Sequence, residues 1–236
     1  MVVSKMPSTR FEVKSTCAEI GLPWIRAWVR LHPDAFVQAY PPRRVNNLYL
    51  DTPGLTSLTD HLDGVGERSK LRLRWYGEGF SVVQGVLELK HRSNRVGWKS
   101  YCPMPPTFDL TTISWNELMG QLREHATGEH AMALARVERP TLLNSYVREY
   151  YESMDEQIRL TIDSEQRVYE QLTHTTPNVR FPARATNGIV VEVKADPSLA
   201  RRISNLYSSL PVLVEQNSKY VDGILNSTRF TNRRIR

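Results

Sequence analysis

Six short stretches share one pattern, and it restricts the fold more than any other feature of the chain. Leu71-Arg72-Leu73-Arg74 alternates leucine with arginine. The same alternation runs through Leu87-Glu88-Leu89-Lys90-His91-Arg92, Tyr146-Val147-Arg148-Glu149-Tyr150, Ile158-Arg159-Leu160-Thr161-Ile162-Asp163, Val191-Glu192-Val193-Lys194 and Phe11-Glu12-Val13-Lys14. Successive side chains on a strand point to opposite faces, so each stretch predicts a strand with one aliphatic face and one face of long charged groups. For a single strand, a sheet with one wet face is explanation enough. Its cross-strand ion pairs would each be worth only ~0–1 kcal/mol.

Six such strands together point further. The helical segments described below can cover the aliphatic faces. If the sheet curls with its helices outside, the charges line the inside. The expectation is an α+β fold built on an antiparallel barrel with a polar lumen, unlike the packed interior of most small barrels. Converging arginines and lysines repel one another and lose water, which is sensible only if an anion fills the lumen. Arginine presents a planar fork and lysine a compact charge, so a chain of several phosphates suits them best. Carboxylates on the same face offset the repulsion and offer oxygen ligands to a divalent cation.

The remaining elements follow from periodicity and punctuation. A helix starts near Pro23, with Trp24, Ile25, Trp28 and Val29 as its apolar stripe, and Pro41-Pro42 ends that region. Residues 45–51 read as a strand, followed by a short helix carrying Leu55, Leu58 and Leu62 and closed by Gly64. Strands over 70–76, 81–92 and 96–102 form hairpins through Gly77-Glu78-Gly79 and Ser93-Asn94. Residues 113–137 read as one helix, and strands resume at 142–152, 157–163, 167–170 and 188–195. A helix from Pro197, a strand at 212–215 and a helix at 219–225 complete the chain. One domain is expected over 1–236, with its core at about 10–226 and a basic tail at 227–236.

Composition excludes several classes. The 236 residues carry 31 Lys+Arg against 25 Asp+Glu, a net charge of +6, and 40% are hydrophobic. That is too apolar for a disordered chain. No stretch approaches the ~20 apolar residues of a membrane span, and the first ten residues hold no apolar signal-peptide core. Cys17 and Cys102 are far apart and in no CxxC spacing. A cytoplasmic protein with reduced thiols is expected. P-loop, Rossmann, zinc-protease and serine-hydrolase motifs are absent. A pI near 9.4 points to an anionic partner. Nucleic acid is the competing anion, because Lys70 to Tyr76 mixes cations with aromatics as a stacking platform does. Glu88, Asp163 and Glu192 recur on the same face and would repel a nucleic-acid backbone, so no nucleic acid is expected.

At these residues the chain resembles the VTC (vacuolar transporter chaperone) domain of polyphosphate polymerases, a branch of the triphosphate tunnel metalloenzymes. The resemblance rests on residues 47–52, 70–77, 87–90, 148–151, 159–163, 191–194 and 218–220, in the family's order. It implies an eight-stranded antiparallel tunnel that binds triphosphate or polyphosphate and transfers the terminal phosphate of ATP onto a growing chain, with Mn²⁺ or Mg²⁺. Carried over by motif, Lys14, Arg72, Arg74, Lys90, Arg148, Arg159, Lys194 and Lys219 are the phosphate-gripping catalytic set. Ser218 adds a hydroxyl near a helix N-terminus. Tyr150, Glu12, Glu88 and Arg92 are the substrate-side neighbours, and Glu192 is the metal ligand. A triphosphatase and a non-catalytic polyphosphate sensor are the alternatives within the same tunnel. Two residues depart from the family pattern. Arg10 stands where many tunnel enzymes carry the first acid of Glu-x-Glu-x-Lys, which favours the VTC branch and removes one metal carboxylate. His61 stands where a cation is usual, which implies a weaker or pH-dependent phosphate contact. The membrane spans of the eukaryotic relatives are absent from the sequence, so coupling to translocation is not implied.

Overall fold

The alternating stretches all become strands of one sheet. The computed structural model describes residues 11–94, 96–183, 188–214 and 217–231. Its strands are β1 (Phe11–Ala18), β2 (Val37–Asp51), β3 (Glu67–Tyr76), β4 (Val86–Ser93), β5 (Val96–Pro103), β6 (Arg139–Glu152), β7 (Ile158–Glu170), β8 (Gly188–Ala195) and the two-residue β9 (Leu213–Val214). Its helices are α1 (Leu22–Leu31), α2 (Thr56–Leu62), α3 (Trp115–His125), α4 (Gly128–Leu134), α5 (Ala200–Ser209) and α6 (Lys219–Thr231). The spatial order is β5-β4-β3-β2-β6-β7-β8-β1-β9, with every pairing antiparallel. Eight long strands therefore form the expected antiparallel sheet, and the short β9 extends one edge. No ladder joins β5 to β9 among the described residues. The sheet nevertheless curls: Lys90 on β4 interacts electrostatically with Glu12 and Lys14 on β1 and with Glu192 on β8, near the opposite edge of the strand order.

Register puts the charged positions on one face. Asn47 pairs with Arg74 and Tyr49 with Arg72; Arg72 in turn pairs with Glu88, and Lys90 with Lys99. Across the other half, Arg148 pairs with Asp163, Thr161 with Glu192, and Glu192 with Lys14. The opposite face is dry. Leu48, Leu71, Leu73, Leu87 and Leu89 pack with Leu118, Met119 and Leu122 of α3 and Leu134 of α4. Ile158, Leu160, Val191 and Val193 pack with Ile25 and Val29 of α1 and Ile203 and Leu206 of α5. Burying a side chain of this size stabilises by about 1.5–3 kcal/mol, so these two clusters hold the curl. Helix α6 differs: its Tyr220, Val221 and Ile224 pack on Tyr49 and Leu142, which belong to the inner face, with Leu58 of α2 alongside. One end of the lumen is thus covered by α6.

The local departures from the sequence reading have definite causes. Strand β2 begins at Val37 and continues through Pro41-Pro42. The prolines fall where the β2–β6 register shifts between Tyr40 and Arg43, a bulge that asks no ladder hydrogen bond of them. The single helix expected over 113–137 is two, because Ala126 and Thr127 are extended and Gly128 takes φ 57°. The two strands expected over 157–170 are one, since a register shift opposite Ser145-Val147 absorbs the break, with Glu165 at φ 50°. The strand expected from Ser81 begins at Val86, and Val83 makes an isolated bridge to Phe108. Helix α6 runs on to Thr231, so the expected tail starts as helix. Arg10, Glu215 and residues 232–236 of that tail lie outside the described residues. Among the described residues no helix is long and apolar enough to cross a membrane.

Candidate active site

Three carboxylate-centred groups organise the inner face. The first is on β3, β4 and β5. Glu88, 1% exposed, binds Arg72 Nη2, Lys99 Nζ at 2.9 Å and Arg74 Nη1 at 3.4 Å. These cations hold its carboxyl far below the usual range against the opposing effect of burial. Arg74 Nε also donates to Asn47 Oδ1 at 2.8 Å, and Arg72 Nη1 donates to Tyr49 Oη at 3.2 Å. Arg72 Nε is buried without a partner among the described residues.

The second group is on β6, β7 and α6. Arg148 forks onto Asp163 through Nε at 2.6 Å and Nη2 at 2.7 Å, and Lys219 Nζ reaches Asp163 Oδ2 at 2.6 Å. Arg148 and Lys219 both lie over the Tyr146 ring, at 5.3 and 4.7 Å. Burial alone would lower the Arg148 pKa, but Asp163 carries it well above its usual value.

The third group is on β8 and β1. Lys194 Nζ lies 2.9 Å from Glu192 Oε1 and 3.8 Å from Glu12 Oε2, and Lys14 Nζ lies 3.4 Å from Glu12 Oε1. Lys14 also donates to the Asn217 carbonyl at 3.5 Å. Burial opposes the charge on Lys14, yet Glu192 and Glu12 raise its pKa above the usual value. Burial likewise opposes ionisation of Glu192, but Lys194 and Lys14 hold it well below its ordinary pKa.

For a further set of basic groups the nearby carboxylates do not outweigh burial and the neighbouring cations. Lys70 donates to Ser218 Oγ at 3.0 Å, lies 3.3 Å from His61 Nδ1 and sits 5.6 Å from the centre of the Tyr220 ring. Burial, then Lys90 and Arg68, push its pKa down to about 7. Burial, opposed in part by Glu12, takes Lys90 to about 8. Burial and Arg72 take Lys99 to about 7 although Glu88 touches it. Burial and Lys70 depress His61 to about 4, so it is neutral near pH 7 and titrates well below neutrality. That is where the departure at His61 leaves its charge.

The structure therefore brings together Lys14, Arg72, Arg74, Lys90, Arg148, Lys194, Lys219, Ser218, Glu12, Glu88 and Glu192. Arg159 stands at the rim, 56% exposed at its side chain and paired with Glu152 at 2.9 Å. Tyr150 is at the same rim, edge-on to Tyr40. Arg92 is exposed, its Nε donates to the Asn94 carbonyl at 2.8 Å, and its charge acts on His61 and Arg68. Sequence reading missed Lys70 and Lys99 as site residues. Both had a signal, since Lys70 continues the alternation of Arg72 and Arg74, and the Ser93-Asn94 turn sets Lys99 opposite Lys90.

The carboxylates differ as metal ligands. The oxygens of Glu88 and Asp163 are taken up by close cations. Among the described residues Glu192 Oε2 meets a cation only at long range, Arg148 at 3.8 Å, and the Glu12 carboxyl lies beside it within hydrogen-bonding reach. Among the described residues no cluster of three or more His, Cys, Asp or Glu groups could hold a metal ion. Glu192 and Glu12 are carboxylates of the kind that would suit a hard divalent ion.

Comparison with solved structures finds a protein called PH1819 from Pyrococcus horikoshii OT3, with 16% identity and a TM-score of 0.48, over 94% of this chain and 99% of that one. A putative adenylate cyclase from Vibrio parahaemolyticus matches with 11% identity and a TM-score of 0.47, over 91% of this chain and 97% of that one. The Pct1 RNA triphosphatase of S. pombe matches with 13% identity and a TM-score of 0.27, over 92% of this chain and 64% of that one. No curated protein matches. The model of the VTC domain matches residues 8–227, which spans every strand of the charged inner face, and the chain belongs to the VTC domain family.

Proposed function

We propose that the lumen binds triphosphate and polyphosphate and acts as a metal-dependent phosphotransferase of the polyphosphate-polymerase kind, passing the γ-phosphate of ATP to a phosphate chain. One observation carries the reading. Lys70, Lys90 and Lys99 converge with too little counter-charge to keep their usual pKa values, and among the described residues Arg72 Nε has no acceptor. Such an arrangement costs stability when empty and is relieved by a polyanion.

The residues divide the work by chemistry. Arg72, Arg74 and Arg148 offer planar forks to phosphate oxygens; Lys14, Lys70, Lys90, Lys99, Lys194 and Lys219 supply compact charge. Phosphoryl transfer disperses negative charge over the oxygens of the moving group, and cations fixed in place stabilise it without reorganising. Ser218, just before α6, adds a hydroxyl where backbone N–H groups favour an anion. Glu192, with Glu12 beside it, would hold Mn²⁺ or Mg²⁺. When bound, that ion would neutralise part of the negative charge that develops on the phosphate during transfer. A cytoplasmic site of action accords with two free thiols, Cys17 and Cys102.

The test is incubation with ATP and Mn²⁺ or Mg²⁺, read by gel staining for polyphosphate and by a free-phosphate assay. Polyphosphate formation supports the polymerase. Phosphate release alone replaces it with a triphosphatase. Tight metal-free binding of tripolyphosphate with no turnover in either assay replaces it with a sensor.

A further inference from the structure

Helix α1 carries more apolar surface than its packing uses. Ile25 and Val29 are buried against β7, β8 and α5, with Leu22 and Trp28 partly buried beside them. Trp28 Nε1 also donates to Ser209 Oγ of α5 at 3.2 Å. A second stripe faces away from that core. The 3₁₀ turn Glu19–Gly21 runs into α1, and Ile20, Trp24 and Leu31 are 86%, 73% and 84% exposed. With the half-buried Ala27 they fall at intervals of four, three and four residues, the spacing that puts side chains on one seam of a helix. A single exposed ring such as Phe181 needs no explanation. Three large groups on one seam form a patch of the kind that marks an interaction surface.

The seam is its own complement. Read in reverse its spacing is the same, and about its midpoint the Trp24 ring falls opposite the Ala27 methyl, and Ile20 opposite Leu31. Bulky against small is the match that lets two helices approach closely. The charges along the edge match in the same sense. On a helical projection Glu19 and Arg30 lie on one side of the seam, at opposite ends, and both are exposed. Antiparallel pairing sets Glu19 beside the partner's Arg30 and opposes the two helix dipoles. An anionic lipid surface would call for cations alone along that edge. Glu19 breaks the row, and Arg26 is already held by Glu149 at 2.8 Å.

We infer that α1 is a self-association surface: two copies of this chain pair across a two-fold axis through antiparallel α1 helices. Trp24 against the partner's Ala27 forms the centre, and Glu19 with the partner's Arg30 forms the rim. The pairing covers on the order of 1,000 Å² over both copies, the low end for a specific interface, so the dimer is weak and reversible. Because α1 packs on the dry outer face of β7 and β8, pairing leaves the charged lumen free.

The experiment is analytical ultracentrifugation of the full chain from about 1 to 500 µM, a range that brackets a weak dimer. It compares the parent with Trp24→Ala, Glu19→Arg, Arg30→Glu and the double reversal Glu19→Arg/Arg30→Glu, each checked for fold by far-ultraviolet dichroism. The parent should pass from monomer to dimer across the range. Trp24→Ala should weaken the dimer roughly tenfold to a hundredfold. Each single reversal sets like charges together and should weaken it about tenfold. The double reversal should recover most of that loss, which neither a membrane nor a foreign partner would produce. A parent that stays monomeric throughout overturns the proposal. So does a dimer indifferent to Trp24→Ala, or a double reversal no better than the singles. Binding of monomers to phosphatidylserine vesicles, lost in Trp24→Ala, would assign the seam to a membrane instead.

Discussion

Filling the lumen with a polyanion should draw protons from solution. In the empty protein Lys70 and Lys99 titrate at about 7 and Lys90 at about 8. At pH 8 the first two are then about one-tenth charged and the third about half charged. A phosphate chain laid against them restores the charged form, so binding should take up roughly two protons at pH 8 and only about 0.2 at pH 6. By linkage, log K should fall by roughly two per pH unit near pH 8 and stay nearly level below pH 6.

The assay is calorimetric titration with tripolyphosphate in buffers of different ionisation enthalpy, repeated in Lys70→Met and Lys99→Met. Each substitution should remove about 0.9 proton at pH 8, and taking the difference from the parent cancels the ligand's own ionisation. The empty protein offers a second reading of the same groups. Their folded pKa values lie below the unfolded value of about 10.4, so the unfolded state binds more protons from about pH 7 up to that value. Stability of the empty protein should therefore rise with pH through that window, and the rise should flatten when tripolyphosphate is bound. If uptake at pH 8 is equal in parent and both variants, these lysines are already charged in the empty lumen, and the argument from uncompensated cations is refuted.

Arg74→Lys should weaken tripolyphosphate binding by roughly tenfold or more while the fold persists, because a point charge cannot replace a fork held by Asn47; a titration beside far-ultraviolet dichroism checks both. Tripolyphosphate at about 100 times its Kd should stabilise the protein by about 2.7 kcal/mol, read as a thermal shift, with orthophosphate at equal ionic strength well behind. Equal shifts from sulfate, phosphate and tripolyphosphate would indicate screening alone. Glu88→Gln leaves Arg72, Arg74 and Lys99 around a neutral group, so the empty protein should lose about 3–5 kcal/mol in denaturant unfolding, and a bound polyanion should restore part of it. Glu192→Gln should abolish metal-dependent turnover yet hold or tighten metal-free polyphosphate binding; normal turnover in that variant would place the metal elsewhere.

The strand faces were legible because alternation is a local signal. Once Arg72 and Arg74 share a face, register carries that face to Glu88, Lys99 and onward without further information. Interruptions were less legible. Pro41-Pro42 breaks a helix or a central ladder, and nothing in the residues announces that a bulge will let β2 run through them. Electrostatic imbalance was legible only in sum. The sequence shows carboxylates on the same face as the cations, but which cations they satisfy depends on distances. Glu88 serves three, Asp163 two, and Lys70 forms no ion pair with a carboxylate among the described residues.

The placement of α6 is not legible in its own sequence, because an amphipathic helix does not reveal which surface it will cover. The inner face held the answer. Tyr49 on β2 and Leu142 on β6 occupy inner positions where charge is otherwise the rule. Apolar groups facing a hydrated lumen would be a net cost, so something dry must cover them. Tyr220, Val221 and Ile224 do so, and Tyr220 Oη donates to Asp51 Oδ2 at 2.6 Å, which satisfies the polar tip of that buried ring. That docking fixes the start of α6, which is why Ser218 and Lys219 project among Lys70, Asp163 and Arg148. The apolar contact at one end of the lumen thus sets the position of polar groups used within it. A substitution such as Leu142→Ala would act on the site through α6, loosening Ser218 and Lys219 together rather than removing any phosphate ligand.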